Sequence, residues 1–115
     1  MKDNIVKDKT YQFALKIVFL FKELQIQREF VLSKQLLRSG TSIGANTEEA
    51  VQAQSKADFI HKFSIVQKES YETHYWIRLL KDSGYLTQDK AEVLLKDCEE
   101  IQKIVTSILK TAKTI

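Results

Sequence analysis

The stretch LLRSGTSIGANTEEA, residues 36–50, decides the fold. Two glycines, two serines and a threonine crowd the six positions from Ser39 to Gly44, a composition that normally marks a turn. The residues around them nevertheless keep helical spacing. Leu36, Gly40, Ile43, Gly44, Thr47 and Val51 share one face, with Arg38, Ser42, Glu49 and Gln52 opposite. Each glycine inside a helix costs about 1 kcal/mol relative to alanine, so Gly40 and Gly44 need a packing reason. Four residues apart, they form a shallow groove that another backbone can approach more closely than leucine packing allows. The groove serves either a close crossing inside the monomer or a contact between subunits. A phosphate-cradling loop does not fit, because no strand precedes the segment, no lysine follows in the P-loop position and the glycine spacing is wrong.

Reading outward, three further helices emerge. The first is predicted from Asn4 or Asp8 to Gln27, with Phe13, Ile17, Leu20, Phe21 and Leu24 on one face. Tyr11, Leu15, Val18, Phe19 and Ile26 make a second apolar side more than a quarter-turn away, which points to burial against something outside a lone bundle. The second helix is predicted to begin at Ser33 as N-cap, with Leu32 and Leu37 as a hydrophobic staple. The third opens at SKAD, where Ser55 caps and Asp58 completes a capping box, and carries Phe59, Phe63, Val66, Ser70, Thr73, Ile77 and Leu80 inward. Gly84 suits the left-handed position after its end. Thr87 caps the fourth, whose stripe is Leu94, Cys98, Ile101, Val105, Ile108 and Ala112. Short connections make sequential helices antiparallel neighbours. The expected architecture is all-α: one up-down-up-down four-helix bundle spanning residues 1–115.

The totals agree with this. Proline is absent and glycine occurs three times in 115 residues, too few punctuating residues for many short strands. The 43% apolar and 29% charged fractions belong to an ordinary globular domain. A single cysteine, Cys98, excludes an internal disulfide and a multi-cysteine zinc site, and its place on the apolar stripe marks it as a packed thiol. The longest apolar run, Ile17–Phe21, is too short to span a bilayer, and the first ten residues lack the apolar core of a signal peptide. A cytoplasmic location without membrane association is the expectation. Net charge is +3 and the basic residues are dispersed: residues 84–115 hold five lysines against five acids. Only folding or assembly would gather them into a nucleic-acid patch.

QLLRSGTSIGANTEEA followed by SKADFIHKFSIVQKESYETHYWIRLLKDSGYL resembles the bacterial four-helix-bundle family named after the 23S rRNA intervening sequence. Residues 33–86 carry the similarity, through Arg38-Ser39, Ser42-Ile43, Asn46 and Glu49-Ala50, then Glu69 and Glu72. Where the family more usually ends the motif Asn-Ile-Ala-Glu-Gly, this chain has Asn46-Thr47-Glu48-Glu49-Ala50, keeping the asparagine and the second glutamate. The resemblance implies an antiparallel bundle commonly assembled as a ring-shaped homopentamer, with no known reaction. The family also includes the accessory variability determinant of diversity-generating retroelements, a basic pentamer that binds a reverse transcriptase and nucleic acid. RNA or a nucleic-acid enzyme is therefore a candidate partner.

Several groups merit weighing as sites. Glu69 and Glu72, beside Ile65 and Trp76, would do acid–base work only if burial split their pKa values. Otherwise they must be paired. With Arg38, Ser42, Asn46 and Glu49 they are expected to form a structural polar network between helices 2 and 3, a neighbouring subunit being a candidate source of the arginine. Asp58 and His61 stand one turn apart, but a di-iron bundle needs two Glu-x-x-His pairs and two more glutamates, and His61 faces away from the Phe59 stripe. No metal or cofactor is expected, and no nucleophile, base and oxyanion donor converge, so the chain reads as non-enzymatic. Tyr11, Leu15, Val18, Phe19 and Trp76 are the candidate oligomer interface. Lys68, Arg78 and Lys81, beside Tyr71, Tyr75 and Trp76, are candidate nucleic-acid contacts.

Overall fold

The computed structural model describes residues 2–115, with side chains from residue 5 onward. Four helices follow one another: α1 Lys2–Ile26, α2 Leu32–Val51, α3 Lys56–Asp82 and α4 Gln88–Thr114. A 27-residue helix is about 40 Å long, which accounts for most of the 47 Å long axis of the bundle. The helices neighbour one another in the cycle α1–α2–α3–α4, and among the described residues no Cα atoms of a diagonal pair lie within 8 Å. Cross-helix contacts run in opposite directions along each neighbouring pair. Lys9 meets Glu100 and Glu23 meets Lys90, while Lys62 meets Glu49 and Arg38 meets Glu69. Gly40 meets Ile17 and Gly44 meets Thr10 across α1–α2, and Gln67 meets Thr106 and His74 meets Glu99 across α3–α4, so every neighbour is antiparallel.

The glycine-rich segment is helical throughout. A Cβ on Gly40 would lie 2.9 Å from Ile17 Cγ1 and Cγ2, and one on Gly44 would lie 3.3 Å from the Thr10 carbonyl oxygen. Both glycines therefore serve the close approach of α1 within the same chain, and Gly44 also lines a surface groove with Tyr11, Ala14, Thr41, Ala45 and Glu48. Ser39 and Thr47 beside the glycines are buried and satisfied internally. Thr73 Oγ1 donates to Ser39 Oγ at 2.8 Å across the α2–α3 interface, and Thr47 Oγ1 donates to the Ile43 carbonyl at 2.8 Å. Among the described residues no buried side-chain donor or acceptor is left without a partner.

The core is built from Phe13, Ile17, Leu24, Leu36, Ile43, Phe63, Ile77 and Ile101, with Cys98 among them. Each such side chain, fully buried, contributes about 2 kcal/mol of transfer free energy. Ser55 caps α3 by accepting from the Asp58 amide at 3.0 Å, and Thr87 caps α4 by accepting from the Lys90 amide at 3.3 Å. Gly84 adopts φ 91° after α3, where the Tyr85 amide returns to the Leu80 carbonyl.

The α1–α2 connection differs from the sequence expectation. α1 begins at Lys2, earlier than Asn4 or Asp8, and ends at Ile26; the side chain of Asn4 lies outside the described residues. Arg28, not a glycine, takes the left-handed conformation at φ 65°, with the Glu29 amide bonded to the Leu24 carbonyl. Ser33 is not the cap of α2 but lies inside it, its hydroxyl donating to the Glu29 carbonyl at 2.8 Å. The Glu29 carboxylate caps instead, accepting from the amides of Val31 and Leu32 at 3.1 Å and of Ser33 at 2.6 Å. Burial raises the Glu29 pKa, but these amides outweigh it and hold the carboxyl below its ordinary value.

Candidate interaction surfaces

The motif residues of α2 and α3 separate into three clusters. In the first, Arg38 Nη1 donates to Glu69 Oε2 at 3.2 Å while Nη2 bonds Glu72 Oε2, and Trp76 Nε1 donates to that same Glu72 oxygen at 3.1 Å. The arginine belongs to the same chain, not a neighbour. Glu69 is buried at 6% exposure, whereas Arg38 is half in solvent. The bond from Trp76 is the main cause holding Glu72 below the usual carboxylate range, opposed by burial and assisted by Arg38. In turn Glu72 pushes the Arg38 pKa up. In the second cluster Asn46 Nδ2 donates to the carbonyl and hydroxyl of Ser42 at 2.9 and 3.0 Å, a bond within α2. The third pairs Glu49 with Lys62 at 2.8 Å. Glu49 lies three turns from Arg38, about 16 Å along the axis, too far to join it. The first and third clusters tie α2 to α3, and none of the three aims an acid and a base at a common point.

Cys98 is enclosed, its thiol donating to the Ser70 carbonyl at 3.1 Å, and burial pushes its pKa up to about 12. His61 is exposed, and among the described residues no three metal-ligating side chains come together. No described helix is long and apolar enough to cross a membrane.

Outside the core, α1 carries an exposed apolar stripe. Tyr11 and Phe19 are each 58% exposed and Leu15 36%, with Val18 half-buried beside them. Between α1 and α4 runs a groove of about 270 Å³ lined by Phe19, Leu20, Leu86, Val93 and Leu94. Trp76 sits apart from this stripe, half-buried on the α2 side of α3 with its ring edge against Tyr75.

The basic candidates scatter. Lys68 is exposed, and Arg78 donates to His74 Nδ1 and lies 5.8 Å over the Tyr75 ring. Lys81 is half-buried beside Asp82, 13 residues or about 20 Å from Lys68. The fold instead gathers Lys103 and Lys110 with Tyr71 along an α3–α4 groove of about 520 Å³, and neither lysine forms an ion pair among the described residues. Sequence reading passed over these two, although their seven-residue spacing places them on one helical face.

Comparison with known proteins completes the picture. The family model described as 23S rRNA-intervening sequence protein matches residues 2–107. The chain belongs to that family. Among solved structures, this 23S rRNA-intervening sequence family member is similar to a protein with unknown function from the S23 ribosomal protein family of Bacteroides thetaiotaomicron. The two are 56% identical over 96% of this chain and 99% of that one, with a TM-score of 0.93. No curated protein matches the chain.

Proposed function

We propose that this family member is a non-enzymatic scaffold that assembles with copies of itself, a pentamer on the family resemblance, to present a surface to other molecules. The observation that carries the reading is the row Tyr11, Leu15 and Phe19, exposed on the outside of α1. A monomeric protein rarely leaves such a contiguous apolar row in water. The polar groups that would otherwise serve chemistry are engaged in pairs, and the one thiol is enclosed. Light scattering coupled to size exclusion at micromolar concentration tests it: a mass of several chains is expected, and a single-chain mass refutes the reading.

A second reading, an accessory module acting with RNA or with a reverse transcriptase, is favoured by one observation. Lys103 and Lys110 line one groove with Tyr71, the lysines suited to phosphates and the tyrosine ring to an unpaired base, with Glu99 in the same lining. Binding to a structured RNA that weakens steeply between 50 and 200 mM salt (about a thousandfold for several phosphate contacts) supports it. Absence of binding at low salt rejects it.

A further inference from the structure

We propose that the α3–α4 groove is a nucleotide subsite, holding one unpaired nucleobase that carries an exocyclic amino group, together with its phosphates. A free nucleoside triphosphate and one unit of a single strand share this chemistry. The proposal rests on the accessory-module reading and names what its groove holds.

The order of side chains along the groove carries the assignment. Bonds between Gln67 and Thr106 at 2.8 Å and between His74 and Glu99 at 2.9 Å fix the alignment of α3 against α4. Tyr71 lies between Gln67 and His74, so it stands level with the stretch of α4 between Glu99 and Thr106, where Lys103 is. From one end the groove therefore presents Glu99, then Tyr71 with Lys103, then Thr106, then Lys110. That is an acceptor, an aromatic face, a cation, a hydroxyl and a second cation. A nucleotide offers the matching sequence: base edge, base face and successive phosphates. Tyr71 is 57% exposed, which leaves its ring open to stacking. Lys110 stands two turns, about 10 Å, beyond Lys103. Lys103 thus meets the phosphate next to the sugar, and Lys110 the terminal phosphate or the next one along a strand. Thr106 Oγ1 already accepts from Gln67, so its proton serves a phosphate oxygen. The volume of about 520 Å³ is in the range of small-molecule sites.

Glu99 selects the base. A carboxylate repels phosphate, but this one lies at the end of the groove away from Lys110. His74 Nε2 bonds its Oε2 and holds the side chain in place, leaving Oε1 to accept from an amino group. Cytosine offers an amino donor at the position where uracil carries a carbonyl acceptor. The site therefore favours cytosine over uracil.

Calorimetric titration of the wild-type protein with CTP and UTP at about 50 mM salt tests this. One CTP per chain is expected, with UTP binding about tenfold more weakly. Tyr71→Ala is expected to weaken CTP about tenfold. Lys110→Gln should weaken CTP and leave CMP unchanged, and Glu99→Ala should abolish the difference between CTP and UTP. All three side chains are exposed, and circular dichroism checks that each variant folds. No saturable binding of CTP, or CTP binding unchanged in Tyr71→Ala, overturns the subsite. Equal wild-type affinities for CTP and UTP overturn the role of Glu99. A short oligocytidine that displaces CTP identifies a strand as occupant; failure to displace it identifies the free nucleotide, and the subsite stands in either case. Structured RNA that binds wild type and Tyr71→Ala/Lys110→Gln equally, while CTP does not bind, overturns the subsite and leaves the accessory reading standing. Absence of both kinds of binding overturns the two together.

Discussion

Arg38 reaches from α2 to within 3.2 Å of Glu69, a carboxylate on α3 that retains 6% of its surface in water. Removing the arginine leaves that buried charge short of its partner, which costs about 1–3 kcal/mol. Arg38→Ala is expected to lower the thermal midpoint by several degrees. Glu69→Gln added to it should recover part of the loss, because a neutral amide tolerates burial better. Chemical denaturation of the three proteins reads this; an unchanged single variant refutes the role.

The Glu29 cap gives a pH dependence with a defined sign. Its folded pKa lies below the unfolded value of 4.5, so its contribution is complete above pH 4.5 and is lost as pH falls through the folded value. Glu29→Ala is expected to cost about 2 kcal/mol at neutral pH, for a lost cap with amides left unpaired. The gap between variant and wild type should narrow on acidification, as melts between pH 7 and pH 3 would show. A gap that stays constant over that range refutes the carboxylate as its source.

Gly40 sets helix propensity against packing. Alanine there gains about 1 kcal/mol of propensity but puts a methyl 2.9 Å from the branched side chain of Ile17, itself fully buried. Overpacking of this kind costs about 1–3 kcal/mol. Gly40→Ala is therefore expected to be net destabilising in urea titrations. Stabilisation would mean that α1 gives way easily.

The Cys98 thiol, with its pKa near 12, is expected to resist iodoacetamide in the native protein and to react only as fast as the bundle opens. Mass spectrometry across a denaturant series measures it: modification within minutes in native buffer would contradict the enclosed position.

Much of the fold was legible because its signals are local. Ser55, Thr87 and Gly84 act on backbone groups within a few residues, so spacing alone finds them. The start of α2 was not legible in that way. Ser33 has the right chemistry for a cap, but Glu29 reaches the same amides with a charged acceptor and the serine turns inward. Nor does any side chain announce that Arg28 will take a left-handed conformation. At the polar sites, periodicity identified Glu69 and Glu72 as needing partners, whereas the division of Asn46 and Glu49 into other clusters depends on which residue of another helix stands opposite. The gathering of Lys103 and Lys110 with Tyr71 likewise exists only after α3 and α4 meet.

Along the α1–α4 seam the charges change order, Lys9, Lys16, Glu23 facing Glu100, Asp97, Lys90. Exposed pairs of this kind supply little attraction, but they forbid mistakes. A slide of two turns, about 10 Å, would thrust Glu23 at Asp97 in one direction and Lys16 at Lys90 in the other. The seam is thereby keyed like a lock, favouring a single vertical setting of the outermost helices even where their greasy contact is thinnest.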